Sequence, residues 1–152
     1  MILGRKKVCA GQSAEAIKTK GGNALGLVAD VMDEKQLNEA KEKALRHFGK
    51  IDGLVNAAGG NMPDGILQPD EDIFKMKIDG MKKVADINLW GTIIPTQVFG
   101  DAIAHSGRGS IVNISSMNSK RAITKVLGYN MGKAGVDCYT QWFAVELANR
   151  FG

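Results

Sequence analysis

Tyr129 and Lys133 stand four residues apart, and Ser116 lies thirteen positions before the tyrosine. Residues four apart on a helix share a face, so the Lys133 ammonium can sit beneath the Tyr129 phenol. A phenol at its ordinary pKa of about 10 is a poor acid or base at neutral pH, and a nearby cation lowers that value. The pair therefore offers a proton donor with its activating charge, and Ser116 offers a hydroxyl to orient a carbonyl oxygen. A surface lysine lying along a tyrosine satisfies the same spacing, so the surrounding residues must decide between the two.

The segment Gly109–Ser116 is built of small and β-branched residues apart from Asn113, and it carries no charge. It reads as a buried strand of a parallel sheet, ending in a serine pair where open α/β sheets place their ligands. Ser115 competes with Ser116, but the spacing to Tyr129 favours Ser116 and the pleat turns adjacent residues to opposite faces. A second apolar run from Ile51 ends in Asn56, Ala57, Ala58, Gly59 and Gly60, small residues that let a ligand approach the backbone. Asn88 falls inside a helical segment, where its side chain competes for backbone hydrogen bonds. Its presence there demands a reason.

In this order the pieces resemble the short-chain dehydrogenase/reductase family. Asn56-Ala57-Ala58-Gly59 is similar to that family's Asn-Asn-Ala-Gly motif, with Ala57 replacing the second asparagine. The resemblance implies a catalytic tetrad of Asn88, Ser116, Tyr129 and Lys133. It implies cofactor contacts at Asp30 and Val31 for the adenine, at Asn56 to Gly59, and at Tyr129 and Lys133. Arg5 falls where the family reads the ribose 2′ position; an arginine there accommodates a 2′-phosphate. Arg5, Lys6 and Lys7 without an acid thus point to NADP ahead of NAD, with a solvent-facing basic turn as the alternative. Four further segments, from Ala58–Pro63 to Thr140–Glu146, resemble the D-mannonate oxidoreductase (fructuronate reductase) subgroup, which implies reduction of a hexuronate ketone to a secondary alcohol. A family member acting on another ketone, such as a 3-oxoacyl substrate, is the alternative.

The fold implied is α/β, a Rossmann-like doubly wound parallel sheet in a single partial dinucleotide-binding and catalytic domain over residues 1–152. Family members run to about 250 residues as one domain, against 152 here. Met1–Arg5 aligns with the end of the family's second strand, so its first strand, Gly-rich phosphate loop and first helix, and its last strands, are expected to be missing. That would leave two sheet fragments with exposed apolar edges and no pyrophosphate anchor. A non-catalytic truncated fragment is the competing expectation, and weak cofactor binding without useful turnover is expected of the isolated chain.

The elements that position these groups are legible in outline. A short helix is expected over 12–20, a strand over 24–31, and a helix capped by Asp33 and closed by Gly49 with Leu37, Ala40, Ala44 and Phe48 on one face. A long helix should bury Val84, Ile87, Gly91, Ile94, Val98 and Ala102, with Pro95 kinking it or costing a hydrogen bond. A strand over 109–116 and a helix over roughly 129–150, closed by Phe151 and Gly152, complete a β/α alternation that implies a parallel sheet. Trp90, Phe99, Trp142 and Phe143 lie off the main stripe, either as core or, as the family resemblance implies, as the subunit seam of a homo-oligomer.

Hydrophobic content of 44% suits a globular chain with a core. A net charge of +4 comes from scattered lysines without interleaved aromatics, which speaks for solvated helix faces and against nucleic acid. No run reaches the length of a membrane span. Cys9 and Cys138 lack metal spacing or a disulfide framework, which fits a reducing cytoplasm. His47 and His105 have no partners at metal spacing, so no metal site is expected.

Overall fold

The computed structural model describes residues 1–121 and 123–151; Gly152, expected to help close the last helix, lies outside them. The elements run β1 (Ile2–Gly4), α1 (Lys7–Lys18), β2 (Gly26–Val28), α2 (Glu34–Phe48), β3 (Gly53–Asn56), α3 (Ile78–Ala104), β4 (Ser110–Asn113) and α4 (Leu127–Phe151), with short 3₁₀ turns between some of them. The strands form two separate two-stranded sheets, β1–β2 and β3–β4. β1 and β2 are parallel, with Ile2 opposite Gly26 and Gly4 opposite Val28. In the second pair Ser110 N donates to Asp52 O and Ile114 N to Asn56 O. Both strands advance together between these bonds, so this pair is parallel too.

The chain divides into two compact units, one of Met1–Leu54 with Ile94–Ile111 and one of Val55–Ile93 with the chain from Val112 onward. In the first unit an apolar core gathers Ala29, Leu37, Ala40, Val98, Phe99 and Ile103, with Leu3, Leu27, Ile51 and Leu54 packed against it. Helix α2 is set by its own sequence. Asp33 accepts from Gln36 N at the amino end, Gly49 at φ +81° closes the other, and Leu37, Ala40 and Ala44 make the buried face. Helix α1 starts at Lys7, five residues before the expected position, without a side-chain cap. It packs so tightly on β2 that a Cβ at Gly26 would lie 2.7 Å from Ala10 O. The strand expected over 24–31 is paired only across Gly26–Val28, because Asp30 turns its backbone N–H to the Gln36 side chain and its Oδ1 to Met32 N.

In the second unit, the amino-terminal part of α3 and α4 are brought together by glycine. A Cβ at Gly132 would lie 2.7 Å from Asn88 Cβ and 3.1 Å from Ala85 O, and one at Gly128 would strike the Met81 carbonyl. The buried line along α3 also departs from the expected stripe. It runs through Val84, Asn88, Thr92, Thr96, Phe99 and Ile103, whereas Ile87, Ile94 and Ala102 are half-buried. Pro95 sits inside the helix and is buried. Phe99 is core, but Trp90 and Trp142 stay about half exposed.

Candidate active site

The residues singled out for chemistry fall into two groups. Arg5 and Asp30 follow β1 and β2 in the first unit and form an ion pair at 4.0 Å, with the Arg5 side chain 72% exposed. Val31, beside Asp30, is half-buried. Asn56 to Gly59, Asn88, Ser116, Tyr129 and Lys133 all belong to the second unit.

Asn88 is fully buried within α3. Its Nδ2 donates to Gly60 O at 2.8 Å and to Val84 O at 2.7 Å, while its Oδ1 accepts from Gly60 N at 3.1 Å. The side chain therefore clamps both backbone groups of Gly60 and satisfies itself completely, which resolves the puzzle of an asparagine inside a helix. The loop it clamps requires glycine: Gly59 and Gly60 adopt φ of +146° and +141°. A Cβ at Gly59 would also strike Asn88 Oδ1 and come within 3.7 Å of Lys133 Nζ. Only glycine fits there.

Lys133 is 4% exposed. Its ammonium donates to the Ile114 carbonyl at 2.7 Å, just beyond β4, and lies 5.7 Å from the Tyr129 ring centroid. A buried ammonium is costly unless paired or hydrogen-bonded, and one of its three donors is spent on Ile114. Tyr129 is half-buried at the start of α4. Its neighbour Asn130 accepts from Asn118 Nδ2 at 2.8 Å, which ties the helix start to the turn after β4.

Ser116 caps that turn, Met117–Ser119, its Oγ accepting from Asn118 N at 3.2 Å. Ser115 faces a different set of partners, Ser119 Oγ at 3.4 Å and Lys133 O at 3.5 Å. Hydrogen bonding by Ser115 first, then by Ser119 and Lys120, holds the Asp137 carboxyl down at about 2 against the opposing effect of burial. The two serines thus point into separate networks.

A relay from Asn56 through Asn113 and Thr140, and the carboxylate of Asp137, are polar features that the motifs do not mark. Asn56, 5% exposed, donates from Nδ2 to Asn113 Oδ1 at 2.9 Å, Asn113 Nδ2 donates to Thr140 Oγ1 at 2.9 Å, and Thr140 Oγ1 donates to Val136 O at 2.7 Å. This relay fastens β3 and β4 to α4. Its signal was present as Asn113, the lone amide in an otherwise apolar strand. Asp137 is the other, one helical turn beyond Lys133 and detectable by the same four-residue step. A cavity of about 610 Å³ also lies in this unit, with Leu67, Ile73, Met76, Ile123, Leu127 and Met131 among its walls and Arg121, Lys125, Asn118 and Asn130 as its polar lining.

Can this geometry hold a nicotinamide nucleotide? The small residues at the carboxyl end of β3 leave room at the backbone, and the Lys133 ammonium retains donors for a ribose hydroxyl. Both features fit the nicotinamide end of such a cofactor. The comparisons with known proteins agree in kind. An oxidoreductase of Bacillus subtilis named UxuB, of uncharacterized activity, is 36% identical over 140 residues, covering 87% of this chain and 50% of that protein. A 3-oxoacyl-[acyl-carrier-protein] reductase of Synechocystis is 30% identical, covering 88% of this chain and 51% of the relative. A crystal structure from Haemophilus influenza with bound NAD, titled provisionally as a D-mannonate oxidoreductase, superposes with a TM-score of 0.85 at 31% identity. It is covered over 56% of its length by 97% of this chain. The chain thus spans about half the length of the curated relatives it matches. The profile described as short chain dehydrogenase matches residues 1–150, and the chain belongs to that family.

Proposed function

We propose that this chain carries the catalytic part of an NAD(P)-dependent oxidoreductase that reduces a ketone to a secondary alcohol. The observation that carries the reading is the buried Lys133 ammonium, held by the Ile114 carbonyl beside the Tyr129 ring. The nicotinamide nucleotide supplies or accepts the hydride. Tyr129 protonates the carbonyl oxygen in reduction and removes the proton in oxidation. The Lys133 charge stabilises the phenolate that forms when Tyr129 gives up its proton, and its remaining donors hold the ribose. Ser116 holds the carbonyl oxygen. Asn88 fixes Gly60 and so keeps the Asn56–Gly59 backbone open; with both Nδ2 hydrogens and Oδ1 engaged, its side chain has no donor left for a water in the proton path.

Arg5 supports NADP through its charge, although here it pairs with Asp30; the Haemophilus structure carries NAD. Titration of both nucleotides, with Arg5→Ala beside them, decides between these. For the substrate, the resemblance to the D-mannonate subgroup and the likeness to the Haemophilus structure support a hexuronate in the fructuronate/mannonate pair. The largely apolar walls of the 610 Å³ cavity favour a second reading, a 3-oxoacyl ketone. The same proposal includes a single domain over residues 1–152 and a homo-oligomer packed through α3 and α4, supported by exposed Trp90, Trp142 and Val145. A cytoplasmic location is also proposed, and among the described residues no helix is long and apolar enough to cross a membrane.

The test is a Tyr129→Phe change in the polypeptide that carries this chain, assayed with both nucleotides against hexuronates and 3-oxoacyl esters. Loss of a general acid costs typically about 10²–10⁴ in rate. Near-wild-type turnover by the variant would sink the assignment.

A further inference from the structure

One half-buried carboxylate has no part in that mechanism. Asp137 stands one helical turn beyond Lys133, so Tyr129, Lys133 and Asp137 follow one another along a single face of α4. Its side chain is 19% exposed and takes an ion pair from Lys120 Nζ at 3.0 Å. Ser115 and Ser119 lie beside it and lower its pKa, while their hydroxyls bond Lys133 O and Ser116 O. All three partners belong to the short segment that carries Ser116. Within that segment Ser119 Oγ donates to Ser116 O at 2.7 Å, and Asn118 N donates to Ser116 Oγ at 3.2 Å. The residue before and those just after Ser116 are therefore gathered on one carboxylate.

Charge-assisted hydrogen bonds are roughly twice as strong as neutral ones, and a neutral side chain at 137 could not hold the Lys120 ammonium equally. Displacement of a reacting group by about 1 Å can cost a hundredfold in rate, so the fixing of this segment bears on the chemistry. We infer that Asp137 is a positioning residue: it pins the Ser115–Lys120 segment to α4 and so sets the Ser116 hydroxyl against the Tyr129–Lys133 face. The inference rests on the reading of Ser116 as the group that holds the carbonyl oxygen.

Amide hydrogen exchange on the whole polypeptide that carries this chain gives a readout independent of turnover. In Asp137→Ala the amides of Asn118 and Ser119, which bond Ser116 Oγ and Ser116 O, should exchange roughly tenfold faster, the effect of losing about one hydrogen bond. Asp137→Asn should fall between, because its amide oxygen still accepts. The Asn130 amide, bonded to Val126 O within the start of α4, should be unchanged. Unaltered exchange at Asn118 and Ser119, or an equal loss of protection along α4, would overturn the proposal. In the active holoenzyme, Asp137→Ala should lower kcat by about tenfold or more with the nucleotide KM unchanged, and a wild-type kcat would also overturn it. Should Ser116→Ala keep full activity, the role of Ser116 falls, yet the exchange result still reports whether Asp137 pins the segment.

Discussion

Helices α2 and α4 follow opposite rules. α2 buries Leu37, Ala40 and Ala44 on one face, caps itself with Asp33 and Gly49, and exposes charge elsewhere. α4 buries Gly128, Gly132, Lys133 and Val136, so its inner face has little apolar bulk and contains a charge. In α2 the buried face is apolar surface removed from water. In α4 the missing side chains let the partner helix approach until Asn88 touches the Gly132 backbone, and the space nearby holds an ammonium and a phenol. A helix that only packs advertises itself by periodicity. One that buries a charge among glycines gives periodicity up.

The sharpest way to separate the two is to remove the Lys133 charge while keeping its volume. Lys133→Met should cost the active enzyme about 10²-fold or more in turnover, the scale of one preorganised electrostatic group. Relief of a desolvated ammonium offsets the Ile114 carbonyl left without its donor, so the melting temperature should change little. Steady-state rates and thermal melts on the same preparation check both outcomes. A large fall in melting temperature would make Lys133 a structural residue and erase the contrast.

Shrinking and enlarging should act oppositely on the two helices. Leu37, fully buried in the α2 face, should cost about 2–5 kcal/mol on change to Ala through lost burial and a residual cavity. Gly132→Ala should cost about 1–3 kcal/mol through overpacking against Asn88 and Ala85. The same change at an exposed helical position should stabilise by about 1 kcal/mol. Urea unfolding gives both values. A stabilising Gly132→Ala would show that α3 and α4 do not meet closely there.

The same distinction governs what could be read from the sequence. Asp33, Gly49 and the three buried residues of α2 were each legible, since local rules of capping and spacing decide them. The placing of Lys133 against the Tyr129 ring was legible because the four-residue step of one helix alone carries it. The inner line of α3 was misplaced onto Ile87, Ile94 and Ala102, since Asn88, Thr92 and Thr96 count as polar in any hydropathy pattern. They are buried because hydrogen bonds satisfy them, as Asn88 with Gly60 and Val84 shows, and satisfaction by a distant residue leaves no local trace. The Asn56–Asn113–Thr140 relay was missed for that reason: its members lie 57 and 27 positions apart. Strand β2 came out shorter than its run of small and apolar residues because Asp30 diverts the backbone to side-chain partners.

Acid should reveal the smallest difference. Asp33 at the head of α2 and Asp137 on α4 both have lowered pKa values, Asp33 through the Gln36 backbone N–H first and Asp137 through Ser115 first. For a carboxyl whose folded pKa lies below its unfolded one, the unfolded state binds protons first as pH falls. The stabilisation is therefore complete above the unfolded value and is lost as pH drops through the folded value. For Asp137 that window runs from the ordinary 3.8 down to about 2. With one pKa unit equal to about 1.4 kcal/mol and an allowance for solvent screening, its contribution is about 1–2 kcal/mol. Asp33 is half-buried at the head of α2, where salt weakens interactions with the helix end, whereas Asp137 should hold in salt. Urea unfolding at pH 5 and pH 2, in low and high salt, should show wild type losing about 1–2 kcal/mol more than Asp137→Asn on acidification. The common losses from other carboxylates cancel in that comparison. Equal losses in the two proteins would mean that Ser115, Ser119 and Lys120 do not hold this carboxylate in solution, and α4 would then anchor the serine segment through Lys133 and Asn130 alone.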